Sequence, residues 1–211
     1  RSRRAPGVDG QAAEEGLPEP LQARRPGSRQ AATASTHQPE RNATPLSGVR
    51  WANSRPMQTV TLRAVTPADF PTLFEHQRDP GSVRMAEVQP REREAFFAHW
   101  DKVVRDPTVT TRIIVVDGRV AGHVGCFERD GKQLVGYWLG RAFWGNGVAT
   151  RALGQLLALV AHRPLFAHVA KHNVGSTRVL QKCGFVVVRE TLEPQTLGQG
   201  AFIDLLLKLE A

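Results

Sequence analysis

The stretch Gly136-Tyr-Trp-Leu-Gly-Arg-Ala-Phe-Trp-Gly-Asn-Gly-Val-Ala-Thr150 decides the fold. Residues Val135 to Leu139 have the composition of a β-strand, and a glycine-rich turn follows from Trp144 to Gly147. Beyond the turn, apolar residues recur at helical spacing, at Leu153, Leu156, Leu157 and Val160. The segment therefore predicts a strand, a glycine turn and a helix in succession.

The glycine turn predicts a site for an anion. Glycine has no Cβ and adopts positive φ at little cost. The first N–H groups of a helix have no partner inside the helix, and the aligned peptide dipoles make that end positive. A glycine turn that opens a helix is therefore suited to phosphate.

Two familiar phosphate-binding motifs fit this turn poorly. A P-loop has the pattern Gly-x-x-x-x-Gly-Lys-Ser/Thr, whereas Gly140 and Gly145 are followed here by Asn146-Gly147, without the lysine. A dinucleotide fingerprint has a third glycine where this chain has Thr150 and an acid about twenty residues later, where it has Ala170. A further alternative is that the glycines only allow the strand and the helix to pack closely.

Composition divides the chain into two parts. Residues 1–56 are rich in Pro and Arg and have few periodic hydrophobic residues, so we predict a disordered basic tail there, with a tether to an acidic partner as the alternative. Residues 57–211 are predicted to form one domain. Half of the net charge of +8 lies in the tail, which makes nucleic acid an unlikely partner. The absence of a long apolar run and the two separated cysteines predict a cytoplasmic protein without a membrane partner.

The domain reads as a mixture of strands and helices. Turn signals at Asp117-Gly118 and Asp130-Gly131 predict two hairpins. Strands are predicted at 59–65, 109–116, 119–127, 133–139, 165–169, 185–190 and 201–209, and helices at 67–78, 91–105, 148–161 and 173–182. Asp79-Pro-Gly81 is predicted to end the first helix. This order predicts an α+β, three-layer domain with a mixed, mostly antiparallel central sheet of about seven strands and helices on both faces.

Three segments, in the same order, resemble the GNAT superfamily of N-acetyltransferases. The turn Trp144-Gly-Asn-Gly147-Val-Ala149 is similar to its coenzyme-A loop, although Trp144 departs from the usual Gln or Arg. The segment Asn173-Val-Gly-Ser176, with Leu180, Lys182, Gly184 and Phe185, resembles a second element of that superfamily. The opening Val-Thr-Leu-Arg63 is also typical. The tryptophan-containing turn is most similar to the branch of ribosomal-protein N-terminal acetyltransferases.

The resemblance implies a GNAT fold and acetyl-CoA as co-substrate, with no metal. The pantetheine arm would lie between the strands at Val135–Leu139 and Leu165–Val169. The residues implied in coenzyme binding are Trp138, Leu139, Trp144, Gly145, Asn146, Gly147, Val148, Ala149, Thr150, Asn173 and Ser176.

The resemblance also suggests which groups take part in catalysis. A backbone N–H near Leu139 would donate to the thioester oxygen. Ser176 would protonate the departing thiolate, with helix capping as its rival role. No acid stands at Gln133-Leu-Val135, so Glu128 is the predicted base, with Glu87 or a water chain as alternatives. His123 could face the core or the cleft, and the position of His168 and His172 across a strand end and a loop argues against a metal site.

The sequence therefore predicts an acetyl-CoA-dependent N-acetyltransferase, active as a monomer or homodimer. The acceptor would be an amine of a small molecule or a peptide. The alternative function is a catalytically degenerate module that binds acetyl-CoA as a sensor or scaffold.

Overall fold

The computed structural model of the protein describes residues 58–194 and 200–210. The predicted tail over residues 1–56 lies outside the described residues, and the domain boundary at residue 57 stays a prediction. The described strands are β1 (Val60–Arg63), β2 (Thr110–Val116), β3 (Arg119–Arg129), β4 (Lys132–Leu139), β5 (Leu165–Ala170), β6 (Val186–Pro194) and β7 (Ala201–Leu209). The α-helices are α1 (Phe70–Arg78), α2 (Pro80–Ala86), α3 (Arg93–Arg105), α4 (Val148–Leu159) and α5 (Val174–Lys182), with short 3-10 helices at Pro67–Asp69 and Arg141–Phe143.

The described strands form one sheet in the order β1-β2-β3-β4-β5-β7-β6. The pairs are antiparallel except β4 with β5, which is parallel. Both predicted hairpin turns have positive φ at their two central residues, 48° and 79° at Asp117 and Gly118, and 50° and 69° at Asp130 and Gly131. Such turns match the twist of an antiparallel ribbon. The prediction of a mixed, mostly antiparallel sheet is confirmed.

Helices cover the sheet on both faces, which confirms the three layers. On one face α4 buries Val148, Leu153 and Leu156 against the central strands. On the other face α1 and α3 bury an aromatic cluster against β2, made of Phe70, Phe74, Phe96 and Trp100. No helix in the described residues is long and apolar enough to span a membrane.

Helix α2 was missing from the predicted element order. Asp79 ends α1, as predicted, but its Oδ1 also accepts the N–H of Ser82 at 2.7 Å. Pro80 then occupies the first turn, where its missing N–H costs nothing. The residues that stop one helix therefore cap the next, and α2 ends at Glu87 with φ of 56°.

The sheet opens between β4 and β5. These strands pair at Leu134 and Phe166, and no further pair follows along the described strands. Two crossover elements, the glycine turn with α4 and the loop before α5, leave from the open end. The sheet therefore contains a gap bounded by two parallel strands.

Candidate active site

A cavity of about 470 Å³ lies at the gap between β4 and β5. Residues 134–138 and 167–170 form its two edges, and Asn173 and Ser176 reach it from the start of α5. Helices α1 and α3, the end of α2, strand β3 and the ends of β6 and β7 supply the remaining walls. Of the residues predicted in the site, Trp138, Asn173 and Ser176 line this cavity.

The glycine turn lies at the open end of the gap. Gly145 and Gly147 have φ of 76° and 69°, the left-handed region that favours glycine. A Cβ built on either residue would meet no atom within 4 Å, so the backbone conformation is what requires glycine there. Gly147 precedes α4 directly and serves as its N-cap.

The N–H groups of residues 145–150 lie in the glycine turn and in the first turn of α4. Within the described residues none of them donates a hydrogen bond, and the first helical bond in this region comes from Arg151 to the carbonyl of Gly147, at 3.1 Å. This set includes the predicted coenzyme contacts Asn146, Val148, Ala149 and Thr150. Unpaired donors at the positive end of a 12-residue helix are suited to a phosphate group.

Arg151 fixes the direction of these donors. Its guanidinium donates to the carbonyl oxygens of Asn146, at 3.1 Å, and of Gln58. Because C=O and N–H point in opposite directions across a trans peptide, the N–H of Gly147 is directed away from Arg151. Arg151 therefore acts from behind the turn and orients the peptide group between Asn146 and Gly147.

Trp144 ties the turn to the end of β4. Its indole N–H donates to the carbonyl oxygen of Leu139 at 3.0 Å, while the side chain remains 39% exposed. Trp138 makes a comparable bond on the other side, to the carbonyl oxygen of His76 at 3.0 Å. The two tryptophans fix the last residues of β4 between α1 and the glycine turn.

Strand geometry directs the N–H of Leu139 toward the gap. Gly140 donates to Ala121 on β3, and in an antiparallel ladder the donors alternate between the two sides of a strand. The neighbouring Leu139 therefore directs its N–H away from β3, to the side where β5 has separated. This is the orientation that the predicted thioester contact requires.

Asn173 has the capping role predicted for it. Its Oδ1 accepts the N–H of Ser176 at 3.1 Å, and its Nδ2 donates to the carbonyl oxygen of Met85 at 2.9 Å. It thus joins the start of α5 to the end of α2. A ligand contact from Asn173 would use its remaining lone pair or amide hydrogen.

Tyr137 was missed by the sequence reasoning. Its hydroxyl donates to the carbonyl oxygen of Ser176 at 3.3 Å, and both residues line the cavity. Burial raises the pKa of the Tyr137 phenol well above its ordinary value, so the group stays protonated. The alternation of apolar residues along β4 could have placed Tyr137 beside the gap, but not its partner on α5.

The two acids considered as bases lie elsewhere. Glu128 is exposed, whereas its neighbours Phe127 and Arg129 line the cavity, because successive side chains point to opposite faces of a strand. The side chain of Glu87 is 11% exposed, and its Oε1 lies 3.2 Å from Nε2 of His172. Glu87 does not line the cavity. Burial raises the pKa of Glu87 to about 7. Neither position brings a carboxylate into the cavity.

Histidine side chains reach the cavity instead. His123 packs edge-on against Trp100, with ring centroids 4.8 Å apart, and burial lowers its pKa to about 3, so its ring is neutral. His168 of β5 lies with its Nδ1 2.5 Å from Oδ2 of Asp204 on β7. In the described part of the chain no three His, Cys, Asp or Glu side chains are placed to hold a metal. Asp204 could not be predicted from the sequence as a site residue, since its partner is 36 residues away.

Comparison with known proteins identifies a matching family and several solved structures of similar fold. The family model described as an acetyltransferase (GNAT) domain matches residues 59–186, which is more than half of the chain. No curated protein matches the sequence.

Several solved structures have the same fold at low sequence identity. A spermidine N-acetyltransferase from Vibrio cholerae, solved with CoA and spermine, has a TM-score of 0.64 and 16% identity over 72% of this chain and 95% of its own. An aminoglycoside acetyltransferase in complex with coenzyme A has a TM-score of 0.60 and 18% identity, over 72% and 95%. A microcin C7 self-immunity acetyltransferase, in complex with acetyl-CoA and AMP, has a TM-score of 0.62 and 16% identity, over 72% and 92%.

Proposed function

We propose that this chain, which belongs to the GNAT acetyltransferase family, transfers an acetyl group to a primary amine. The acetyl group comes from acetyl-CoA, and the amine attacks it directly in a ternary complex. Acetyl-CoA as co-substrate and acyl transfer as the reaction follow from the family. The observation that carries the choice of site is the gap between β4 and β5, with unpaired N–H groups of residues 145–150 at its open end.

The diphosphate of the coenzyme would bind these N–H groups. Arg151 and Trp144 already hold the turn in the required conformation, so little ordering cost remains on binding. The pantetheine arm would then run between β4 and β5, past Trp138 and Asn173, and bring the thioester beside the end of β4.

The thioester carbonyl needs a donor where negative charge develops. The N–H of Leu139 is directed into the gap and would serve, and one such donor contributes roughly 3 kcal/mol in comparable sites. Ser176 lines the cavity and would return a proton to the departing thiolate. Tyr137, bonded to the carbonyl of Ser176, is the second hydroxyl within this part of the site.

The acceptor would approach from the wall made by α1, α3, β6 and β7. This wall has aromatic rings, at Phe96 and Trp100, and charges of both signs, including Asp204 and Arg91. Mixed charge fits an amine that also bears a polar group. The spermidine and aminoglycoside acetyltransferases of similar fold suggest cationic amines, and the turn's likeness to the ribosomal branch suggests a peptide N-terminus.

A thiol-release assay tests the proposal. Full-length protein with acetyl-CoA is offered spermidine, kanamycin and a short peptide with a free N-terminal alanine, and calorimetry measures coenzyme A binding separately. We expect coenzyme binding and release of free thiol with at least one amine. Absence of binding heat would remove the proposed site.

A second function, acetyl-CoA sensing, is favoured by one observation. The predicted acid Glu128 is exposed on the face away from the cavity. A sensor would bind coenzyme A with the same contacts and release no thiol with any of the amines.

A further inference from the structure

The exposed imidazole of His168 and the buried carboxylate of Asp204 form a pair at the edge of the cavity. Nδ1 of His168 lies 2.5 Å from Oδ2 of Asp204, and both residues line the cavity. The side chain of Asp204 is 5% exposed, while that of His168 is 37% exposed. The carboxylate therefore lies inside and the imidazole faces outward.

Asp204 determines which ring nitrogen of His168 carries hydrogen. A buried carboxylate accepts hydrogen bonds only, and leaving it without a donor is costly. Within the described residues, His168 is the donor to Oδ2, and Oδ1 is buried with no hydrogen-bond partner. Nδ1 must therefore be protonated, which leaves the lone pair of the neutral ring on Nε2.

The pair lies on the face of the sheet from which an acceptor can arrive. His168 is two residues beyond Phe166, the last partner of β4, and the residue at the matching position across the gap is Gly136. The other face is filled, because Val135, Ala167 and Val169 pack in the core that α4 covers. Gly136 has no side chain to separate His168 from the gap.

We propose that His168, oriented by Asp204, is the general base that deprotonates the acceptor amine. The proposal rests on the proposed acetyl transfer. The ammonium of the acceptor gives a proton to Nε2, and the resulting imidazolium is stabilised by the Asp204 carboxylate, an arrangement known from buried Asp–His pairs in hydrolases. Asp204 acts as a positioning residue.

The proton and electron pair movements balance. The freed nitrogen lone pair attacks the thioester carbon, forming the C–N bond, and collapse of the adduct breaks the C–S bond. The second proton of the attacking nitrogen passes through the Ser176 hydroxyl to the thiolate. The proton on His168 leaves to solvent from the exposed edge of the ring.

Kinetics of variants of the full-length protein test the role. With spermidine, kanamycin and the alanine peptide as probes, His168→Ala should lower kcat by about 100-fold or more, with coenzyme A affinity unchanged in calorimetry. Added imidazole should restore part of the rate. His172→Ala is the matched control, four residues away and outside the cavity-lining set, and should keep wild-type kcat. Wild-type kcat in His168→Ala would overturn the proposal.

NMR of the ring nitrogens of His168 tests the inferred tautomer without an acceptor amine. In the wild-type protein above neutral pH, His168 should be the tautomer protonated at Nδ1, and Asp204→Asn, whose amide can donate to the ring, should shift the proton to Nε2. A wild-type ring protonated at Nε2 would overturn the inference even where no probe amine reacts. Failure of the wild-type protein to bind coenzyme A would instead count against the proposed function.

Discussion

The hydroxyl of Tyr137 donates to the carbonyl oxygen of Ser176 at 3.3 Å, which joins β4 to the first turn of α5 across the open part of the sheet. The two strands beside these residues have lost their mutual hydrogen bonds by this point. The contact therefore holds the two sides of the gap at a fixed spacing. It also places two hydroxyl groups in one part of the cavity, and the first prediction separates their roles.

Ser176→Ala should lower kcat by about 100-fold, because the proposed proton donor to the thiolate is lost, while acetyl-CoA affinity stays the same. Tyr137→Phe keeps the Ser176 hydroxyl and should retain most of kcat. Thr177→Val is the matched control, since Thr177 bonds the carbonyl of Asn173 at 3.1 Å in the same helical turn and does not line the cavity. Steady-state kinetics and calorimetry measure both quantities. Wild-type kcat in Ser176→Ala would remove Ser176 from the mechanism.

Gly147→Ala should weaken coenzyme A binding at least tenfold, which corresponds to about 1.4 kcal/mol. Its φ of 69° strains any residue with a Cβ, so the turn relaxes and its N–H groups lose their common direction. Gly118→Ala is the control, because Gly118 has φ of 79° in a hairpin turn and its built Cβ also meets nothing within 4 Å. Both variants should lose similar stability, and Gly118→Ala should bind coenzyme A normally. Equal affinities in calorimetry would contradict a role for the turn.

Gly122→Ala should lower the free energy of unfolding by about 3 kcal/mol and reduce kcat in the protein that remains folded. A Cβ on Gly122 would lie 1.9 Å from the carbonyl oxygen of Trp138, so β4 would move beside Leu139. Gly131 is the control, because it has a φ of 69° and its built Cβ would meet no atom within 4 Å. Gly131→Ala should lower the free energy of unfolding by about 1 kcal/mol. Urea unfolding measures both variants. Equal losses of unfolding free energy in the two variants would show that the contact with β4 does not contribute to the effect.

His123→Phe should reduce the loss of stability in acid. Burial lowers the pKa of His123 from 6.5 to about 3, so the folded protein holds a neutral ring that the unfolded chain protonates. Unfolding then takes up a proton, and stability, fully present above pH 6.5, declines toward pH 3 by up to about 1.4 kcal/mol per pH unit. Phenylalanine cannot titrate and keeps a ring against Trp100. His162→Phe, at an exposed position, is the control, and urea unfolding at several pH values should show a flatter profile for His123→Phe alone.

The local parts of the fold and site could be predicted from the sequence because their causes are local. The glycine turn needs positive φ at Gly145 and Gly147, and each hairpin needs it at an Asp-Gly pair, so the residue types indicate the geometry directly. The N-cap role of Asn173 follows in the same way from the residues that come after it. Helix α2 could not be predicted because the same residues, Asp79 and Pro80, both end α1 and cap α2.

Tertiary structure decided which candidate catalytic groups lie together. Glu128 is the base that the sequence predicts, but the register between β3 and β4 places its side chain on the face away from the cavity. Asp204 reaches His168 only because β7 lies beside β5 in the sheet order. The sequence by itself determined the glycine turn that opens α4, since backbone conformation depends on neighbouring residues. The groups that meet in the gap were set by strand order and register, which bring together residues that are distant along the chain.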